Sequence, residues 1–391
     1  MKEKEVVVTG IGLLTALGAL SESWQHLLAK ESGIRLQQPF PQLPARPLAL
    51  VGNQPSSFLS LLQRTVAATL RDANLEPPLS DCGVVIGSSR SSQGAWESFL
   101  RQSDGKLSNW LATLPGSGAI AAARQIESTG PVLAPMAACA SGIWAIARAF
   151  ELIQMGTCDR VLAGAVEAPI TPLTLAGFQK MGALAETGCY PFDRGREGLV
   201  LGEGTALFIL ESADSARRRQ AKIYGRILGF GLTADGYHVS APSVAGRSAQ
   251  IAVKQCLERS KLNVSDIDYI HAHGTSTSRG DGNEAQLIEY LFPQSVAISS
   301  TKGATGHTLG ASGAIDMAFS LMALKEQILP PCIGLRDREF ELDFVMRSRR
   351  ANIENSLCFS FGFGGQNAVL ALGRDRKDVR RSAGLQTRTT R

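Results

Sequence analysis

Ala140-Ser-Gly-Ile-Trp-Ala-Ile-Ala-Arg-Ala-Phe-Glu-Leu152 and Ala311-Ser-Gly-Ala-Ile-Asp-Met-Ala-Phe-Ser-Leu321 are the two stretches on which the fold turns. Each opens with Ala-Ser-Gly and continues with a helical period and an apolar face of small residues, which would let two such helices approach closely. Either two alanine-rich helices look alike by chance, or the chain is built from two related halves. Working outward, β-branched runs at 6–9, 83–86, 160–163, 206–210, 269–272, 296–299 and 368–371 read as strands. Helical patterns at 63–72, 117–125, 140–155, 247–260, 283–290 and 311–325 fall between them. The alternation predicts an α/β architecture with largely buried sheets. Five prolines mark 35–57 as surface loop, and 374–391 reads as a basic disordered tail.

Composition narrows the function classes. With 391 residues, 44% hydrophobic and 19% charged, the chain has material for a sizeable core and is not a disordered or disulfide-scaffold sequence. The net charge of +5 is matched by the last eighteen residues alone, which hold seven basic and two acidic side chains, so the body is neutral and no nucleic-acid surface is predicted. Seven cysteines (82, 139, 158, 189, 256, 332 and 358) are scattered without a C-x-x-C pair, which fits a reducing, cytoplasmic setting better than a zinc site or disulfide framework. The apolar stretch 6–20 follows two lysines cancelled by two glutamates and is broken by Gly10, Gly12 and Gly18, so it reads as buried strand and turn rather than a leader. No run of apolar residues is long enough to span a membrane.

Two motifs are decoys. Val6-Val-Val-Thr-Gly10-Ile-Gly12-Leu-Leu-Thr15 imitates a dinucleotide turn, but Thr15 holds the third glycine position and no acidic residue follows at the required distance. His271 and His273 at i, i+2 would share a strand face, yet no third ligand of suitable spacing accompanies them, and no metal is predicted.

Chemistry is carried by other segments. Pro131-Val-Leu-Ala-Pro-Met-Ala-Ala-Cys139-Ala-Ser-Gly142 places a cysteine where an extended run becomes a helix, and the positive end of the helix dipole there favours thiolate over thiol. The competing reading is a packed structural cysteine. His271-Ala-His273-Gly-Thr275-Ser-Thr277 puts a histidine where a strand breaks into a loop, and Ser300-Thr-Lys302-Gly-Ala-Thr305-Gly-His307 does the same before the second Ala-Ser-Gly helix. One histidine beside a cysteine suggests an activated nucleophile. Two suggest neutral imidazoles that donate hydrogen bonds to an oxygen gaining charge. Lys302 and Asp316 are expected to form an ion pair that fixes the histidines' electrostatics, the alternative being a solvated lysine. Ser360-Phe361-Gly-Phe363-Gly-Gly365 would let a backbone N–H reach a reacting carbonyl, or would serve only as a tight turn.

Together with the opening VVVTGIGLLTALG, the block CYPFDRGREGLVLGEGTA at 189–206 and DGYHVSAP at 235–242, these segments occur in an order and at spacings that resemble the elongating Cys-His-His β-ketoacyl-[acyl-carrier-protein] synthases of the thiolase superfamily. The resemblance covers nearly the whole chain. It implies a thiolase-like fold of duplicated βαβαβαββ halves in a five-layer α-β-α-β-α core, with an N-terminal half at 1–217 and a C-terminal half at 218–373. It implies acyl transfer to Cys139, an oxyanion held by the backbone N–H groups of Cys139 and Phe363, and enolate stabilisation by His273 and His307. It further implies pantetheine contacts from Thr275 and Thr277, aromatic gates at Phe178 and Phe363, and a substrate contact from Phe361. No resident cofactor is implied, because substrates arrive on the phosphopantetheine of an acyl carrier protein. The partners implied are that carrier and a second ketosynthase-like subunit, identical or related.

The chain departs from the family in three places. Ser88-Ser-Arg90-Ser-Ser92 replaces a glycine-rich turn with an apolar residue, which puts Arg90 at the acyl pocket or turned toward a dimer partner. His271 stands where an asparagine or glutamate is more usual, and 35–57 is a reduced region. A second reading is a non-catalytic, chain-length-determining partner subunit. Such subunits usually lack the nucleophilic cysteine, which is present here. A thiolase would want a cysteine at His307 and a chain-starting synthase an asparagine.

Overall fold

The computed structural model describes residues 4–101, 110–243 and 246–375. Along the main path of the large sheet, five strands precede residue 213 and five follow it. The first set is β1 (Val6–Thr15), β2 (Gly83–Gly87), β3 (Val132–Leu133), β4 (Arg160–Glu167) and β5 (Gly204–Ser212). The second is β6 (Gly225–Ala234), β7 (Tyr269–His271), β8 (Ala297–Ser299), β9 (Asn355–Gly362) and β10 (Gln366–Gly373). Within the first set the order is β3-β2-β4-β5-β1, with β3, β2 and β4 parallel and the other pairings antiparallel. Within the second it is β8-β7-β9-β10-β6, again with three parallel strands followed by two antiparallel pairings. The two sets have one topology, and their first strands meet antiparallel where Val6–Val8 pairs with Gly225–Ile227.

Six of the described helices make up most of the helical layers: α1 (Phe58–Ala73), α2 (Ser117–Gln125), α3 (Ser141–Gln154), α4 (Arg247–Ser260), α5 (Ser278–Leu291) and α6 (Ser312–Glu326). Alternate residues of β5 explain why its sequence is a continuous apolar run. Phe208 and Leu210 join a core with α3 and α6, whereas Leu207 and Ile209 join another with α1 and α2. On the second sheet α4 and α5 cover the outer face, and Ala368 and Leu370 of β10 reach the α3/α6 core. The layers therefore run α-β-α-β-α. Helices α3 and α6, opened by the two Ala-Ser-Gly copies, form the central layer, where a Cβ on Gly142 would lie 2.7 Å from the Ala314 nitrogen. Thirteen of the fifteen residues of α6 are buried, which requires the apolar character on all sides that its sequence has.

Several local readings change. Gly10 and Gly12 lie inside an unbroken strand, and a Cβ on Gly12 would sit 2.3 Å from Thr69 Oγ1 of α1. Those glycines serve helix–strand packing and cradle no phosphate. Strand β6 escaped notice because its glycines dilute the apolar signal, although a Cβ on Gly231 would sit 1.7 Å from the Ala252 carbonyl. Segment 35–57 is not simply a surface loop. Arg35–Gln37 pairs with Arg46–Leu48, and Leu48 and Leu50 are buried in the apolar cluster that contains Cys139. The proposed tail lies outside the described residues from 376 onward. No described helix is long and apolar enough to cross a membrane.

Candidate active site

Loops at the carboxyl ends of the parallel strands, together with the β9–β10 turn, converge on one cavity of about 440 Å³, lined among others by Cys139, Phe178, His273, Thr275, Thr277, His307, Phe361 and Phe363. Cys139 sits just before the N-cap of α3, following Ala138 at φ 48°, a left-handed conformation that a side chain adopts only under constraint. Ser360 Oγ donates to the Cys139 carbonyl at 3.0 Å, and a Cβ on Gly362 would lie 3.0 Å from the Cys139 nitrogen, so the β9–β10 turn is held against the cysteine. The Cys139 Sγ and one ring nitrogen of each of His273 and His307 all lie within 4.8 Å of one another. Three segments distant in sequence thus share one small chamber.

The backbone of His273 and the ring of His307 are each held from behind. His273 and Gly274 donate their backbone N–H groups to Glu284 Oε1 at 2.6 Å and Oε2 at 2.8 Å. Burial raises the Glu284 carboxyl to about 8. Nδ1 of His307 is engaged by Ser312 Oγ at 2.8 Å, which leaves Nε2 for the cavity. The two rings stand edge to face with centroids 5.3 Å apart. Burial, and then the Lys302 charge, lowers His307 to about 3 and holds His273 well below the ordinary imidazole range. Both rings are therefore neutral at pH 7.

Lys302 and Asp316 lie behind this chamber, fully buried, with Nζ 2.8 Å from Oδ2. His271 does not join His273 on a common site. Its Nε2 lies 3.1 Å from Asp316 Oδ1, and its Nδ1 lies 3.1 Å from the Tyr269 hydroxyl. Burial would raise the Asp316 carboxyl, but Lys302 and His271 outweigh that and hold it below its usual value. Lys302, Asp316 and His271 thus form one buried network, of which the sequence suggested only the first two members.

Cys139 departs from the expectation drawn from its helix terminus. Burial pushes its thiol up to about 11, with the Phe363 N–H and Lys302 pulling the other way. The resting sulfur is a neutral thiol, because the apolar cluster of Leu48, Ile170, Phe178 and Leu309 removes the solvent a thiolate would need. Cys139, His273 and His307 supply three donors of a kind zinc accepts. The buried Lys302 ammonium, which already disfavours a proton on either ring, opposes a divalent cation there too.

Among the remaining candidates, Thr275 and Thr277 share a 2.9 Å hydroxyl contact at the cavity wall, and Thr277 also caps α5 through Gly280. Phe178 stacks on Phe363 at 5.9 Å, and Phe361 stands edge-on to His273 at 6.0 Å. Arg90 does not line the cavity; its guanidinium lies behind Phe178, 5.7 Å from the ring centroid. Glu284 and Ser312 escaped the sequence reading, although Glu284 follows His273 by three helical turns' worth of loop and helix and could have been flagged as an acid near the site.

The family models for "Beta-ketoacyl synthase, N-terminal domain" and "Beta-ketoacyl synthase, C-terminal domain" match residues 51–216 and 224–336. The chain belongs to the β-ketoacyl synthase family. This ketosynthase is 34% identical to the 3-oxoacyl-[acyl-carrier-protein] synthase 2 of Mycobacterium tuberculosis (strain ATCC 25618 / H37Rv), over 94% of this chain and 97% of that one. Its fold matches a β-ketoacyl synthase from Burkholderia phymatum STM815 with a TM-score of 0.88 and 30% identity, covering 95% and 100% of the two chains. It also matches a chain of AntDE:AntF, a type II polyketide acyl-carrier protein in complex with its ketosynthase bound to the hexaketide, with a TM-score of 0.90, 27% identity and coverage of 96% and 100%. The ketosynthase is accordingly an acyltransferase of the 3-oxoacyl-[acyl-carrier-protein] synthase class.

Proposed function

We propose that the enzyme carries out a decarboxylative Claisen condensation, extending an acyl thioester by two carbons from malonyl-acyl carrier protein in fatty-acid or polyketide-like synthesis. The observation that carries this reading is the single sulfur with two neutral imidazoles within 4.8 Å of it. In the first step the Cys139 sulfur attacks the acyl carbonyl of the carrier thioester, the bond to pantetheine sulfur breaks, and the thiol proton leaves with the pantetheine. The N–H groups of Cys139 and Phe363 stabilise the oxyanion. In the second step the malonyl thioester carbonyl rests between His273 and His307. Carbon dioxide leaves, and its bonding pair enters an enolate that the imidazoles stabilise. The enolate carbon then attacks the acyl group on Cys139, and the expelled thiolate recovers a proton from solvent.

Neutral rings suit this chemistry because a cationic imidazole would bind the malonyl carboxylate and oppose its loss. Thr275 and Thr277 hold the pantetheine arm, while Phe178, Phe361 and Phe363 wall the approach to sulfur. Lys302, Asp316 and His271 set the electrostatics without touching substrate. Atoms and electrons balance without a resident cofactor. The edge strand β3 exposes Val132 and Leu133, with Met136 58% exposed beside them, an apolar edge of the kind proteins cover. We assign it to a second ketosynthase subunit, identical or related, which sedimentation of the purified chain distinguishes. The free, buried cysteines suit a reducing cytoplasm.

The decisive test is intact-protein mass analysis after incubation with acyl-acyl carrier proteins. Acylation is expected on Cys139 and is lost in Cys139→Ala. Stable acylation elsewhere with Cys139 unmodified overturns the assignment.

A further inference from the structure

The loop after β2 carries a feature that the condensation chemistry leaves unused. Glu167, fully buried at the end of β4, accepts hydrogen bonds from Ser88 Oγ at 2.9 Å, Ser89 N at 2.7 Å, Ser89 Oγ at 2.6 Å, Arg90 N at 3.0 Å and Gly310 N at 3.1 Å. Four of these five donors come from residues 88–90, so the one carboxylate fixes that loop and with it the root of Arg90. The Arg90 side chain is consequently committed to the back of Phe178, whose other neighbour is Phe363 at the chamber wall. Its charge acts on the Cys139 thiol. Yet Arg90 Nε is buried without a hydrogen-bond partner, and among the described residues the guanidinium rests on the Phe178 ring and in no ion pair.

A saturated chain leading from Cys139 past Phe178 would leave that donor unsatisfied and place methylenes against a cation, both unfavourable. A carboxylate would satisfy the donor and neutralise the charge, in the planar pairing that guanidinium favours. We infer that the acyl site continues beyond this cavity past Phe178 to Arg90, which recognises an acyl chain that ends in a carboxylate, the half-thioester of a dicarboxylic acid. The inference rests on the reading of Cys139 as the acyl carrier.

The test uses the full chain with carrier-protein thioesters of matched length, adipoyl and pimeloyl against hexanoyl and heptanoyl, and follows the rate of mass gain at Cys139. The half-acids are expected to react at least about tenfold faster, the factor a charge-assisted hydrogen bond supplies. Arg90→Met reverses the preference, and Arg90→Lys, which keeps the charge, retains part of it. A wild-type preference for the fatty acyl groups, or a half-acid preference that survives Arg90→Met, as it would if a partner subunit neutralised the arginine, overturns the inference. Acetyl carrier protein, with no distal group, separates the two readings. If it acylates Cys139 while the half-acids show no advantage, only the Arg90 assignment falls; if no thioester acylates Cys139, both fall.

Discussion

The two halves of the molecule share one strand order and one central helix but use the same places differently. In the first half the loop after β2 is spent on the Glu167 cage and Arg90, and the entry to α3 carries Cys139. In the second the loop after β7 carries His273, and the entry to α6 carries His307 with Lys302. Both pairs of loops lie at the carboxyl ends of parallel strands, where open α/β sheets leave a crevice. The contrast shows how a duplicated scaffold makes an asymmetric site: the buried layers repeat, and the exposed connections diverge. The first half supplies the sulfur, and the second supplies both imidazoles and, from its β9–β10 turn, the Phe363 N–H beside that sulfur.

If the halves divide the chemistry in this way, removing an imidazole should spare acylation and damage decarboxylation. In a Cys139→Gln background, whose side-chain amide imitates the acylated sulfur, malonyl decarboxylation is expected to persist. Adding His273→Ala or His307→Ala should then lower it by roughly 10²–10³, the value of one oxyanion donor. Carbon dioxide release measures this directly, and a loss of under threefold would remove the imidazoles from the enolate step.

A second experiment attacks the contact between the halves. Gly142→Val places side-chain atoms against the Ala314 backbone, where even a Cβ would lie 2.7 Å from nitrogen. Overpacking there should cost about 1–3 kcal/mol of stability and activity with it, read by denaturant unfolding. An unchanged midpoint would show that α3 and α6 are free to separate.

The smallest expected effect concerns pH. His307 is held at about 3, whereas the unfolded chain takes its proton near 6.5. Its contribution to stability is complete above about pH 6.5 and is lost as pH falls toward about 3, because only the unfolded state binds the proton in that window. His307→Gln should flatten the acid side of the stability profile. Decarboxylation by the Cys139→Gln form should stay level from about pH 5 to 8, and an acid limb near 6.5 would mean that the rings are solvated.

Much of this site is legible in the amino-acid sequence. Cys139 stands at a strand-to-helix junction, and His273 and His307 break strands into loops, which local pattern alone reveals. Glu284, Ser312 and His271 were not legible in those roles. An acid, a serine and a strand histidine are ordinary residues until a long-range contact gives them a partner. The glycines of β1 and β6 misled for the same reason, since their use is close packing against α1 and α4.

Sequence by itself determined the periodicities, the paired Ala-Ser-Gly helices and the three kinds of reactive side chain, because these depend on neighbours a few residues away. Tertiary structure decided that His271 turns to Asp316 while His273 faces the sulfur, that Cys139 rests as a thiol, and that Arg90 rests on Phe178 with its Nε buried and lacking a hydrogen-bond partner. Those outcomes depend on burial and on charges brought together from distant positions, and the energy of an ionisable group is set by what surrounds it in space rather than along the chain.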